Sequence, residues 1–387
     1  MIRLIKRVTK FVSVCAVIVM STQVHAVGKE GSTDTQGSAD KQSSADKQVL
    51  MVVTSYGKGN ERPGYEFDEF AKAYSVFKAN GITVDVASPR GGKVQADEYD
   101  KTKPFNVPVL ADKAIMAKLE NTLPTASLDA ASYDGIFIVG GKGAMFDLPK
   151  DKALQAVIAD IYQQQGSVAA VCHGPAALVD VKLADGSYLI AGKAVNGFTN
   201  KEEVLFGKKW LKQFEFMLED KLKERGGKFQ SSNIMLSHVA VDGRLVTGQN
   251  PSSTTGVAVA LVKSLGLTPV ATEQYLDDKT MAVIAQLLAG DKTAEQTLTT
   301  QQDQYHIPLV GMYGFYFLKV AEQPREFEQA LTLMLIAQEA INNPMFDMQI
   351  AKTQHKLGKN QAAKTTLEHV LEAKPDYKPA LDMLKTL

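Results

Sequence analysis

Short apolar runs rich in valine and isoleucine alternate with helical segments along most of this chain, and this alternation limits the folds open to it. Strand-like runs occupy residues 49–53, 82–87, 135–139, 168–171 and 245–247, and helical periods occupy 65–78, 151–164, 214–224 and 256–265. Strands that are apolar on both faces and separated by helices belong to parallel sheets covered on both sides. The pattern predicts a doubly wound, flavodoxin-like α/β domain over residues 48–267.

The first 26 residues have the three parts of a secretory signal peptide. Four basic residues precede the apolar run 11–20, and residues 24–26 (VHA) place small side chains at the two positions that a cleavage site requires. A membrane anchor is the less favoured alternative, because the run is short for a bilayer span. We expect cleavage after Ala26, export to the periplasm and no stable membrane span in the processed chain.

Residues 27–47 are mostly small and polar, and the pentamer SADKQ occurs there twice. Such a composition cannot bury enough apolar surface to offset the entropy of ordering, so we interpret this segment as a disordered linker. The whole chain has 43 basic and 43 acidic residues, a balance that argues against binding nucleic acid by phosphate neutralisation. Neither zinc-ligand spacing nor a phosphate-binding loop is present, and we expect no metal and no cofactor.

Residues 268–387 lack comparable β-branched runs, and they predict an all-helical region. Part of it resembles the second half of a tetratricopeptide (TPR) repeat, in which a turn glycine, small or apolar helix positions and a terminal proline recur at fixed offsets. The matching residues are Leu357, Gly358, Ala363, Leu367, Val370 and Pro375. Two interpretations stay open: a module that binds a protein partner, or a helical extension packed on the first domain.

Residues 167–178 (SVAAVCHGPAAL) hold the strongest chemical signal. A buried strand ends at Cys172, and a helix begins at Gly174 and Pro175, where the missing proline N–H costs nothing. The carboxyl end of a parallel strand is where open α/β sheets bind ligands, and a sharp strand-to-helix turn presents a nucleophile. Cys172 is therefore the candidate nucleophile, and we expect the amides at the helix start to lower its pKa.

Cysteine and histidine are scarce in this chain. The only other cysteine, Cys15, lies in the predicted signal peptide, so Cys172 has no partner for an internal disulfide. Cys172 is then a buried bystander, an intermolecular partner or a reactive group, and the turn favours the last. Its neighbour His173 is awkwardly placed for a direct bond to Cys172, so we expect it to orient or polarise. His238 is a weaker candidate for a catalytic role.

Residues 140–143 (GGKG) follow the predicted strand 135–139. Consecutive glycines let backbone N–H groups approach a developing oxyanion. The alternative is a glycine turn that binds no ligand.

Four separated blocks together resemble the ThiJ/PfpI superfamily, in particular its glutathione-independent glyoxalase (glyoxalase III) and stress-chaperone branch. The blocks are 133–149 (YDGIFIVGGKGAMFDLP), 170–175 (AVCHGP), 196–203 (NGFTNKEE) and 246–251 (VTGQNP). The similarity covers residues 48–267 and excludes the linker and the helical region.

This resemblance implies further site residues. A carboxylic acid on the first helix, five residues after a glycine, would hydrogen-bond the cysteine, and that position is Glu69, with Glu66 as a decoy one turn earlier. A second acid would orient the histidine, and the spacing within residues 196–203 assigns it to Glu203, with Glu202 as the fallback.

The resemblance also places the amides of Gly141 and His173 at the oxyanion. Lys142 stands where the family usually has histidine, so it either favours an anionic substrate such as a keto acid or is solvated.

The activity that the resemblance implies is the conversion of methylglyoxal, or a related 2-oxoaldehyde, to a 2-hydroxy acid. The Cys172 thiolate would add to the aldehyde, and Glu69 would move a proton through an enediol-like species. One alternative is a cysteine hydrolase, although His238 lacks the glutamate two residues later that a glutamine amidotransferase needs. Another is an exported chaperone or binding protein. We expect deletion of residues 268–387 to spare turnover in an enzyme and to abolish partner binding in a binding protein.

Overall fold

The structure is a computed structural model that describes residues 47–272 and 274–387. The predicted signal peptide and all but the last residue of the predicted linker lie outside these residues. Its strands are β1 (Gln48–Val52), β2 (Thr83–Ser88), β3 (Leu123–Pro124), β4 (Gly135–Ile138), β5 (Ser167–Val171), β6 (Ala194–Val195), β7 (Lys228–Phe229), β8 (Val239–Asp242) and β9 (Leu245–Gly248).

Seven strands form one sheet in the order β3-β2-β1-β4-β5-β9-β8. All neighbours pair in parallel except β8 and β9, which are antiparallel at one edge. Strands β4, β5 and β9 are buried along their whole length, as are four of the five residues of β1. The remaining strands, β6 and β7, pair with each other in a small separate sheet.

Helices cover this sheet. They are α1 (Phe67–Ala79), α2 (Asn106–Ala111), α3 (Lys113–Glu120), α4 (Ala144–Asp147), α5 (Lys152–Gln163), α6 (Asn200–Phe206), α7 (Leu218–Glu224) and α8 (Thr254–Ser264). The connection from β1 to β2 runs in one direction across the sheet, and the connection from β4 to β5 runs in the other. Because such crossovers are right-handed, they place α1 and α5 on opposite faces of the sheet. The predicted doubly wound α/β class is confirmed.

The rest of the described chain is helical, as predicted. It contains α9 (Leu276–Ala289), α10 (Lys292–Thr300), α11 (Ile307–Val320), α12 (Pro324–Ile336), α13 (Gln338–Ile341), α14 (Pro344–Lys356), α15 (Asn360–Ala373) and α16 (Lys378–Leu384). Helices α9 to α12 share one hydrophobic cluster, which also includes Leu236 of the α/β region. No helix within the described residues is long and apolar enough to cross a membrane.

The helical region is attached to the α/β region at several points. Lys72 on α1 forms an ion pair with Asp278 on α9, with 2.6 Å between Nζ and Oδ1. The side chain of Asn80 accepts a hydrogen bond from the amide of Val270, at 2.8 Å. We refer below to residues 276–387 as the helical region.

Candidate active site

The chain turns sharply at Cys172, directly after β5. This residue has φ +60°, in the left-handed region that few residues other than glycine adopt. Hydrogen bonds hold the turn on both sides, because its amide donates to the carbonyl of Gly248 and its carbonyl accepts from the amide of Phe198, each at 2.9 Å. A Cβ atom at Gly174 would lie 2.4 Å from the carbonyl oxygen of Ile138, so the next turn has room only for glycine. The backbone therefore fixes the direction of the thiol.

The turn also brings Cys172 and His173 together. The thiol sulfur lies 3.4 Å from Nδ1 of His173, and Nε2 of the same ring lies 2.7 Å from Oε2 of Glu203. The expectation that adjacency would prevent a direct contact was wrong, because it did not include the left-handed backbone at Cys172. Glu203 accepts from Nε2, which leaves Nδ1 of the neutral ring free to accept the thiol proton.

Glu202 and Glu203 are neighbours on α6 and are both buried, but they face different partners. The Glu202 carboxylate accepts hydrogen bonds from Thr199, Met235, Gln249 and Asn250, at distances of 2.8 to 3.1 Å. It forms a capping box with Thr199 and ties α6 to two loops. The structure thus places Glu203 against the histidine and Glu202 in a structural network.

Glu69 lies in the first turn of α1, and its side chain has no exposed surface. Oε2 accepts a hydrogen bond from the amide of Gly140 at 2.7 Å, whereas Oε1 is buried with no hydrogen-bond partner among the described residues. The carboxyl interacts with the thiol of Cys172. Burial raises the pKa of Glu69 well above its ordinary value, and the charge of Glu66 raises it further. A protonated Glu69 has a proton to offer to a neighbouring anion.

The expected lowering of the Cys172 pKa was wrong. Burial raises the pKa of this thiol well above its usual range, and an ionised Glu69 would raise it further. The amide of Gly141 donates toward the sulfur and acts in the opposite direction, but it does not outweigh burial. The expectation considered the helix start alone, and the element that follows is only a short 3-10 helix, Gly174–Leu178. The thiol is therefore protonated until a substrate and His173 act on it.

Gly140 and Gly141 precede Lys142, and other atoms approach both so closely that there is no room for a side chain. A Cβ atom at Gly140 would lie 2.6 Å from Oε2 of Glu69 and 2.7 Å from Cβ of Cys172. Gly141 has φ +94°, and a Cβ atom there would lie 2.6 Å from the amide nitrogen of Glu66. This geometry keeps the Gly141 amide beside the sulfur, where an oxyanion would form.

Cys172 opens into a cavity of about 280 Å³, which Gly141 and His173 also line. One side of the cavity, the polar wall, consists of Glu66, Asp97 and Lys142. Burial raises the pKa of Glu66 to about 7, and burial also raises the pKa of Asp97. Lys142 therefore shares its wall with two carboxyl groups and does not form a purely cationic site.

Another part of the cavity lining is the apolar wall, which we define as Phe198, Phe206 and Met235. Sequence reasoning did not identify these three residues, nor Asp97 in the polar wall. Phe198 lies within the block 196–203 but was not assigned a role, whereas Phe206, Met235 and Asp97 belong to no motif, so only the folded chain brings them to Cys172. Glu66, which sequence reasoning set aside as a decoy, also lines the cavity.

Comparison with known proteins agrees with this geometry. Residues 62–264 match the DJ-1/PfpI family. The chain belongs to the DJ-1/PfpI family. It is 32% identical over 241 residues to the glutathione-independent glyoxalase hsp3102 of Schizosaccharomyces pombe, a match that covers 56% of this chain and 96% of the relative. It is 31% identical over 243 residues to the glutathione-independent glyoxalase HSP31 of Saccharomyces cerevisiae, over 56% and 98% of the two chains.

Solved structures are similar over the same part of the chain. Glyoxalase III from Candida albicans is 26% identical with a TM-score of 0.53, over 57% of this chain and 98% of its own. The rapid encystment protein of 24 kDa from Francisella tularensis is 36% identical with a TM-score of 0.53, over 57% and 99%. The family match ends at residue 264, before α9.

Two other candidates stand apart from this DJ-1/PfpI site. His238 lies at 3.0 Å from the hydroxyl of Ser232 and does not line the cavity of Cys172. In the part of the chain that the structure describes, no group of three or more His, Cys, Asp or Glu side chains could hold a metal ion.

Proposed function

We propose that this protein is a glutathione-independent glyoxalase that converts methylglyoxal, or a closely related 2-oxoaldehyde, to a 2-hydroxy acid. One observation carries the proposal: a buried thiol contacts an imidazole held by a carboxylate, and a second buried carboxyl with a raised pKa interacts with the same thiol. This arrangement can form a thiolate, protonate an alkoxide and move a carbon-bound proton. The names of the relatives, which share about a third of their residues with this chain, support the same reaction.

In the first step, the sulfur of Cys172 attacks the aldehyde carbon, C1, while the thiol proton moves to Nδ1 of His173. Glu203 stabilises the resulting imidazolium through its contact with Nε2. The aldehyde oxygen becomes an alkoxide beside the amide of Gly141 and takes the proton of Glu69. The product is a neutral hemithioacetal, and Glu69 is now a carboxylate.

In the second step, Glu69 removes the proton from C1, and the electron pair forms a double bond to C2. The ketone oxygen takes the proton held by His173, which gives an enediol. Glu69 then returns its proton to C2, and the C1 hydroxyl gives its proton back to Glu69. C1 is oxidised to a thioester while C2 is reduced to an alcohol, so no external oxidant is needed. Water hydrolyses the thioester, which releases the 2-hydroxy acid and restores the thiol.

The test is lactate formation from methylglyoxal by the purified full-length protein, in EDTA and without glutathione. We expect turnover in the wild type and its loss in Cys172→Ala. A wild type that forms no lactate, although Cys172 is readily alkylated, would refute the proposed reaction and favour a cysteine hydrolase.

We further propose that residues 344–375 form a TPR-like helix pair that binds a protein segment. Helices α14 and α15 are joined at Gly358, which has φ +73°, and Ala363, Leu367 and Val370 are fully buried on α15. These are the features that the repeat spacing requires. Crosslinking in cell extract should capture a partner with the wild type and with Cys172→Ala alike. Capture should be lost in Ala363→Arg, because a charged side chain at this buried position disrupts the packing of the helix pair.

We also propose export, with the signal peptide removed after Ala26, and a role in the periplasm under stress. The sequence of residues 1–26 supports this proposal. Cell fractionation and N-terminal sequencing test it, and a full-length N-terminus in the cytoplasmic fraction would refute it. A stress-chaperone activity predicts that Cys172→Ala still suppresses aggregation of an unfolded client protein.

A further inference from the structure

The apolar wall of the cavity is held from behind by the helical region, which lies beyond the family match. Phe206 is the last residue of α6, and its ring meets the ring of Tyr316 on α11 edge to face. The ring centroids are 4.9 Å apart, with 67° between the planes. Edge-to-face pairs of this kind stabilise beyond simple burial of area. One face of Phe206 thus lines the cavity, while the ring also contacts α11.

Met235, the second member of this wall, is fixed from two sides. Its amide donates to Oε1 of Glu202 at 2.8 Å, and its backbone has φ +61°. Its side chain packs on the hydrophobic cluster of α9 to α12, and the next residue, Leu236, belongs to that cluster. Met235 therefore keeps its position only while the helical cluster is in place.

The network behind the wall also reaches α11. The Glu202 carboxylate accepts hydrogen bonds from Asn250 and Gln249. Burial raises the pKa of Tyr313 on α11, and the charge of Glu202 raises it further. Tyr313 has no exposed surface and is one turn from Tyr316 on the same helix. Helix α11 thus contacts Phe206 through Tyr316 and holds Tyr313 within electrostatic reach of Glu202.

We propose that the helical region is a working part of the active site: by holding Phe206 and Met235 through α11, it sets the width of the cavity and excludes 2-oxoaldehydes with bulky substituents. Tyr316 is the positioning residue in this arrangement, since it contacts the wall and not the substrate. The inference rests on the proposed function for its substrate class. It also changes the expected result of deleting residues 268–387, because loss of turnover would then accompany loss of the wall.

The experiment compares methylglyoxal with phenylglyoxal as substrates of full-length variants. We expect Tyr316→Ala to raise the ratio of kcat/KM for phenylglyoxal to that for methylglyoxal about tenfold, because the freed Phe206 ring can move away from the cavity. Tyr316→Phe keeps the ring and should keep the ratio. Phe327→Ala is the matched control, since Phe327 is an equally half-buried aromatic residue of the helical region whose ring faces Lys356 on α14.

A second measurement does not depend on turnover. In a Cys15→Ser background Cys172 is the single thiol, and its alkylation by iodoacetamide can be compared with that by N-phenylmaleimide. Tyr316→Ala should accelerate alkylation by the bulky reagent more than alkylation by the small one, and Phe327→Ala should not. Should the wild type lack turnover, the proposed reaction fails while this selectivity still tests the wall.

Unchanged substrate and reagent ratios in Tyr316→Ala would overturn the inference, as would equal changes in Phe327→Ala. If Tyr316→Ala does not fold, Tyr316→Leu replaces it with the same expected direction and the same refuting results.

Discussion

The two sides of the active-site cavity are held in different ways. The thiol, His173 and Gly141 sit on loops directly after β4 and β5, where a left-handed backbone and close approaches allow almost no freedom. Phe206 and Met235 of the apolar wall are held by side-chain packing against the helical region, which is distant along the chain. The difference separates two properties of one site, because the sheet edge sets the chemistry and the added helices set the shape.

The largest effect should come from the sheet-edge side. We expect Cys172→Ala to lower kcat/KM at least about 10³-fold, because no other described group can form the covalent intermediate. Its free energy of unfolding should change by only about 1 kcal/mol, since alanine is a small apolar replacement for a buried thiol. Lactate assays and urea unfolding measure the two quantities. Residual turnover within about tenfold of the wild type would mean that the thiol is not the nucleophile.

Glu69→Gln tests the proton transfer on the same side. We expect kcat to fall by about 10²- to 10⁴-fold, because the amide keeps the shape but cannot take the C1 proton. Since the folded-state pKa of Glu69 is raised, the wild type loses stability as pH rises above the ordinary value for glutamate. The variant should avoid that loss and be more stable than the wild type at about pH 8. Equal pH dependence of unfolding in both proteins would contradict the raised pKa.

The neighbouring carboxylates on α6 allow a direct comparison of the two sides. Glu203→Gln should lower kcat about 10²-fold or more with little loss of stability, because it disturbs the imidazole alone. Glu202→Gln should lower the free energy of unfolding by about 2–4 kcal/mol, because an amide nitrogen faces several buried donors. Steady-state kinetics and thermal unfolding on both variants give the test. Equal changes in kcat and in stability in both variants would remove the distinction between a catalytic and a structural glutamate.

Glu66→Gln probes the polar wall through pH. The pKa of Glu66 is about 7, and its charge raises the pKa values of Cys172 and Glu69. Above about pH 7 the wild type carries this charge and the variant does not, so the variant's thiol should ionise at lower pH. The rate of Cys172 alkylation against pH should shift toward lower pH by a few tenths of a unit. A shift toward higher pH would show that Glu66 does not act on the thiol through its charge.

The smallest effect concerns a matched pair of glycines in the two regions. Gly358 and Gly266 have φ +73° and +80°, and neither has an atom within 4 Å of an added Cβ. Alanine at either position should cost about 1 kcal/mol of backbone strain without changing kcat. Differential scanning calorimetry then shows whether the two substitutions lower the midpoint temperature of the same unfolding transition. If Gly358→Ala lowers a separate transition and spares the one that abolishes activity, α14 and α15 unfold independently, and support of the site is confined to the cluster of α9 to α12.

The sheet and the elbow could be predicted because their signals are local. The apolar runs read directly as buried strands, and the turn at residues 172–175 is marked by a polar pair followed by glycine and proline. The resemblance directed attention to Glu69 and Glu203, which the structure brings to Cys172 and His173.

The remainder depends on contacts between distant parts of the chain. Phe206 and Met235 reach the cavity only because α6 and a loop near β8 pack on α11, and neither position carries a motif. The pKa of Cys172 was predicted in the wrong direction because the burial of the thiol is a consequence of the complete fold. Glu66 was set aside because spacing does not show that it faces the cavity.

The inclusion of Leu236 in the cluster of α9 to α12 has a consequence for the order in which the protein is made. A nascent chain folds from its N-terminal end as it leaves the ribosome, so the sheet can be complete once β9 has emerged. The cluster that holds Leu236 is complete only after α11 and α12 follow. The growing polypeptide therefore has its thiol turn before it has a closed cavity, and selectivity is the last property of the site to be acquired during translation.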